Sequence, residues 1–120
     1  MRSNDLLIKI ANHPETVTFN EVIATITEHY HYTPSRLSNG VEGDQVVSEP
    51  GSNEGSCKIF AFAKLNKLSE IQTLHCFGDY YRQDVLQNPG GNDHGNIRTF
   101  MRHGWGGIEF DQAPLTEKTE

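Results

Sequence analysis

The sequence predicts an α+β, mainly helical fold: a single compact domain of about five or six helices, with a small two- or three-stranded antiparallel sheet at one edge. Three observations carry this. "TFNE" and "SEIQ" each set a hydroxyl residue three positions before Glu or Gln, the signature of a capped helix start. Residues 33–53 are broken by Pro34, Asn39, Gly40, Gly43, Pro50 and Gly51 into pieces short enough only for strands or loops. A length of 120 residues suits one core that needs neither disulfides nor a metal to hold it together.

The elements follow in order. Leu6, Leu7 and Ile10 predict a short first helix that stops before Pro14, because a residue preceding proline is pushed out of the helical region. Thr18 and Glu21 form a capping box, Val17 and Val22 are spaced as its hydrophobic staple, and Phe19, Val22, Ile23, Ile26 and Tyr30 share one face of the second helix. Within the breaker-rich segment, 35–37 and 45–47 are expected to pair as strands across an irregular connection. "SCKIFAFAKLNKL" is apolar on most sides, through Ile59, Phe60, Phe62, Ala63 and Leu65, and reads as the central buried helix. Ser69 and Gln72 cap a helix carrying Ile71, Leu74 and Phe77, which Gly78 ends in a left-handed turn.

"DYYRQDVLQ" is helical again, with Tyr81, Val85 and Leu86 inward, Tyr80 on the rim and Arg82 paired elsewhere. Asn88-Pro89-Gly90-Gly91 is turn chemistry, after which Asn92 or Asp93 is expected to cap a helix whose inward face is Ile97, Phe100 and Met101. Arg102 and His103 complement the dipole at the far end of that helix, Gly104 stops it, and Trp105 between two glycines is expected to anchor the turn in the core. Residues 108–110 suit a closing strand, 6–115 form the expected core of the domain spanning 1–120, and 116–120 are expected to fray.

Ten Lys plus Arg stand against sixteen Asp plus Glu, a net charge of −6 with His neutral. Sequence-independent nucleic-acid binding needs basic patches, and the one loose cluster is Arg98, Arg102 and His103, so neither nucleic acid nor membrane is an expected partner. The longest strictly apolar run, 59–63, is far short of a membrane span, and no charged-then-apolar export signal opens the chain. Cys57 and Cys76 are too few for a disulfide scaffold and fit a reducing compartment, although their spacing leaves a bridge between them open.

The strings "YTPSRLSNG", "SCKIFAFA", "CFGDYYRQDVL", "DHGNIRTFM" and "GWGGIEF" occur in order at the separations typical of one family. From about Leu6 to Leu115 the chain resembles the HopJ family, named after a type III effector of plant-pathogenic bacteria. The resemblance implies a small bacterial protein, resident in the bacterial cytoplasm or exported to a host cell by type III secretion. It supplies no catalytic residues to carry over.

Candidate chemistry is confined to a few residues. Cys57 follows "EGS" at the expected start of the buried helix, where free N–H groups and the dipole favour a thiolate. With His94 and Asp93 downstream it is loosely similar to papain-type cysteine peptidases, which would make a small cysteine-dependent hydrolase or transferase; the competing reading, and the stronger one, is a thiol packed in the core. His29 and His31 in "EHYHY" would project to one side of an extended backbone and could begin a divalent-metal shell completed by His94, Asp93 or His75, against the alternative of a solvated helix end. "NPGGNDHGN" lacks the P-loop lysine and Ser/Thr, so a turn and cap account for it better than a phosphate site. No cofactor is implied, and the leading expectation is a protein that acts through contacts with another protein, of unknown identity.

Overall fold

The computed structural model describes residues 3–118. Five α-helices occur among them: α1 (Ser3–Asn12), α2 (Phe19–His29), α3 (Glu54–Leu65), α4 (Glu70–His75) and α5 (Gly95–His103). A π-helical run at Tyr80–Val85 makes the sixth helix, with the Leu86 N–H reaching back to the Tyr81 carbonyl at 2.9 Å. The strands are β1 (Tyr30–Tyr32), β2 (Leu37–Val41), β3 (Asp44–Ser48), β4 (Ile108–Phe110) and β5 (Leu115–Glu117). They form two antiparallel sheets, ordered β3-β2-β4 and β1-β5.

Local signals set the helix starts where the sequence placed them. Thr18 accepts from the Glu21 N–H while the Glu21 carboxylate accepts from the Thr18 N–H, and Ser69 and Gln72 repeat the exchange. Gly78 and Gly104 each sit at φ +61, the left-handed geometry that ends a helix without a Cβ clash. Val22 and Ile26 turn inward from α2, and α3 buries Cys57, Ile59, Phe60, Phe62 and Ala63, which makes it the central helix. Phe60 packs its ring against Phe77, Phe100 and Trp105, with centroids 5.4, 4.9 and 6.5 Å away. Trp105 is an anchor as expected, its Nε1–H donating to the Leu68 carbonyl at 3.2 Å.

Other expectations needed correction. The first strand of the pair begins at Leu37 rather than residue 35, and its partner lies across a two-residue connection at Glu42 and Gly43, not an irregular one. The segment expected to fray instead supplies β5, with Tyr30 opposite Glu117 and the Lys118 N–H bonded to the His29 carbonyl; residues 119 and 120 lie outside the described residues. Leu65, Ile71, Leu86 and Met101 are exposed, so apolar periodicity overstated the inward faces of their helices. For α5 the reason is clear: it buries five consecutive residues, Asn96, Ile97, Arg98, Thr99 and Phe100, leaving Met101 beyond the packed stretch. The N-cap of α5 is His94 at φ 50, not Asn92 or Asp93, and its side chain makes no capping bond.

Candidate functional site

Two of the surface cavities among the described residues border α3. The larger is an apolar groove of about 530 Å³, in which Ala61, Lys64 and Leu65 of α3 face Phe110, Pro114 and Leu115. One wall is the link between β4 and β5, and that link is pinned: the Asp111 N–H donates to the Arg36 carbonyl at 3.2 Å, the Gln112 N–H to Ser35 Oγ at 3.2 Å, and Gln112 Nε2 to the Pro34 carbonyl at 2.7 Å. The groove is therefore preformed. Leu65 is 53% exposed on its floor edge. The Lys64 ammonium stands 5.8 Å from the Phe110 ring centroid and has no carboxylate partner among the described residues. Lys64 and Gln112 are the polar side chains among the lining residues, and the rest are apolar.

The smaller place is a cleft of about 220 Å³ where the N-termini of α3 and α5 meet, bordered by Phe19, Phe77 and Tyr80. Its helix starts differ from those of α2 and α4. Asn53 and His94 hold the N-cap positions in left-handed backbone, φ 48 and φ 50, and neither side chain caps its helix. Asn53 donates instead to Ser48 Oγ at 2.9 Å, and His94 Nε2 lies 2.9 Å from Asp84 Oδ2, with its ring tilted on Tyr80 at 5.2 Å. Non-glycine residues in this backbone region store strain of about 1–3 kcal/mol each, which surrounding contacts must hold. Phe19 closes over α3, where a Cβ on Gly55 would come within 3.0 Å of its ring.

The sequence candidates fall as follows. Cys57 lies not at the helix start but a full turn inside, because α3 begins at Glu54; its N–H is already bonded to the Asn53 carbonyl at 3.1 Å. Its thiol is 1% exposed, with Sγ 4.0 Å from the Ser35 carbonyl, and burial pushes its pKa up. The favourable end of the dipole is thus offset by desolvation. Cys76 is also a buried free thiol, pushed up to about 12 by burial, so no bridge joins the pair. His94 contacts Asp84, Tyr80 and, at 3.9 Å, Asp93, but not Cys57; the residue that α3 presents beside His94 in the cleft is Ser56. Asp93 is taken by Arg98, at 2.6 Å, which holds its carboxyl below the usual range.

His29 ends α2 and His31 sits mid-strand in β1, so the two do not share the extended backbone expected of them. Among the described residues no group of three or more His, Cys, Asp or Glu side chains is placed to hold a metal ion. His75 contacts Arg82, which also donates to the carbonyls of Pro14, Val17 and His75 and so ties the π-helical run to the segment before α2. No helix among the described residues is long and apolar enough to cross a membrane. Sequence reasoning missed Ser56, Asn96 and the groove. Only the strings "NEGS" and "DHGN", each a polar residue followed by a glycine-bearing helix start, hinted at the cleft.

The fold is that of a small α+β protein with an apolar groove and a separate cleft between two helix starts. The chain belongs to the HopJ type III effector protein family, whose pattern it matches over residues 3–115. It is similar to a solved structure described as the crystal structure of unknown function protein VPA0580, at 44% identity and a TM-score of 0.93, with 98% of this chain and 95% of that one covered. A search of curated proteins found no match.

Proposed function

We propose that this chain is an effector-like protein that works through protein contacts rather than catalysis, inside the bacterium that makes it or in a host cell after type III export. The groove between α3 and the β4–β5 link is its docking surface. The single observation that carries the reading is the combination of a pinned, apolar groove with the unpaired Lys64 ammonium at its lip. Lys67, a turn further along, also lacks a carboxylate partner among the described residues, in a chain whose net charge is −6. A surface that is locally cationic and apolar on an acidic protein fits a partner segment bearing aliphatic side chains and an acidic residue. The buried, high-pKa thiol of Cys57 supports the same choice, because a nucleophile needs access and thiolate character.

Random peptides displayed on phage and selected on the intact chain test this. The selected sequences are expected to combine aliphatic residues with Asp or Glu, and a synthetic peptide from the set should bind Leu65→Asp at least about tenfold more weakly, or about 1.4 kcal/mol. Val47→Asp, on exposed β3 away from the groove lining, serves as control and should bind unchanged. Peptides that bind Leu65→Asp as well as the wild type would remove the groove from the account.

A further inference from the structure

We infer that the cleft between the N-termini of α3 and α5 is a binding site for a small organic carboxylate, separate from the groove and sharing no lining residue with it. Among the described residues nothing accepts from the N–H groups of Glu54, Gly55 and Ser56 in α3, or of Gly95, Asn96 and Ile97 in α5, because both N-cap side chains are engaged elsewhere. Both helices are long enough to carry a dipole, at 12 and 9 residues.

A second observation is independent of the helix ends. Asn96 is 6% exposed and lines the cleft. Its Oδ1 accepts from Asn39 Nδ2 at 3.0 Å, whereas its own Nδ2 donates to nothing. Among the described residues Asn39 Oδ1 alone is a fully enclosed unpaired atom, so the Asn96 nitrogen retains access to open space, and Asn96 lines the cleft. An amide donor with no protein acceptor on the wall of a cleft is available to a ligand that accepts a hydrogen bond. The Ser56 hydroxyl, also on the cleft wall, is likewise without a partner.

Charge and size select the ligand class. Each helix end contributes roughly half a positive elementary charge, about one in total, which matches a monoanion. No lysine or arginine lines the cleft, so a phosphate dianion would be left undercompensated. Of the acids nearby, Asp84 is engaged by His94, Asp93 by Arg98, and Glu54 by the Tyr32 hydroxyl. A volume of about 220 Å³ admits a small molecule only, and Phe19, Phe77 and Ile97 offer its apolar part a surface.

Benzoate titrated into the intact chain, followed by amide NMR, tests the site, with benzyl alcohol and inorganic phosphate as parallel probes. Saturable shifts of the Gly55, Ser56, Gly95 and Asn96 amides with benzoate are expected, with no response to benzyl alcohol and weaker binding of phosphate. Ser56→Asp sets a carboxylate at the third position of α3, where it suits the helix end and keeps the fold, and should weaken benzoate at least tenfold. Absent or non-saturable shifts, phosphate binding tighter than benzoate, an equal response to benzyl alcohol, or unchanged benzoate binding by Ser56→Asp would each overturn the assignment.

Discussion

Single residues decide how the ends of the chain's elements are tied to one another, and Asp44 shows it best. Its carboxylate receives Arg102 Nε at 2.7 Å and a second guanidinium N–H at 3.0 Å, and lies 2.6 Å from His103 Nε2. The Arg102 hydrogen bonds, then that of His103, hold its pKa at about 2 rather than 3.8. Because the folded pKa lies below the unfolded one, this cluster stabilises the protein above pH 4, and the contribution is lost as pH falls toward 2. Asp44→Asn is therefore expected to flatten the fall of Tm between those pH values, as read by thermal melts across a pH series. The sequence showed Arg102 and His103 as complements to a helix dipole; their shared partner, more than fifty positions away in β3, has no local signature.

At the scale of elements, the parts legible in the sequence are those encoded within four residues. Thr18 with Glu21 and Ser69 with Gln72 are examples, since both members of each box lie on one turn. What escaped depends on distant backbone. Residues 116 and 117 look like part of a polar tail until β1 pairs with them, and Asn53 and His94 look like ordinary residues until the fold forces them to positive φ. The α3 start at Glu54 sets Cys57 a turn inside the helix, in the core position that the sequence favoured for it over a helix-start nucleophile, and leaves Ser56 on the cleft wall. The "GWGG" turn adds a close backbone approach: a Cβ on Gly107 would lie 2.8–3.0 Å from the backbone of Gly40 in β2. Gly107→Ala should thus cost about 1–3 kcal/mol through overpacking, whereas Gly106→Ala, whose Cβ would meet nothing within 4 Å, should fall near the wild type. Urea midpoints for the two variants check this.

Over the whole molecule, a body of 43 × 31 × 21 Å carries both the groove and the cleft on one helix, α3. The N-terminal turn of α3 opens the donor-lined cleft, and its C-terminal turn forms the groove floor with Lys64 and Leu65. The middle of the same helix, through Ile59, Phe60 and Phe62, is wholly buried and fixes both ends on one rigid axis. Fold class and family were legible because helix caps, breakers and ordered motifs survive in linear sequence. The groove was not, because Leu65 counts as core by periodicity and only the packed structure shows it facing Phe110 and Pro114 in the open.

The central claim, docking of an apolar and acidic segment in this groove, is tested most directly by a charge-swap cycle measured by titration calorimetry. The components are the wild type and Lys64→Glu, each titrated with a selected peptide and with its acidic residue replaced by lysine. The account predicts that either single change weakens binding by about 1 kcal/mol, roughly fivefold, and that the double swap restores most of it. Binding that is indifferent to Lys64→Glu, with no recovery in the double swap, would contradict it.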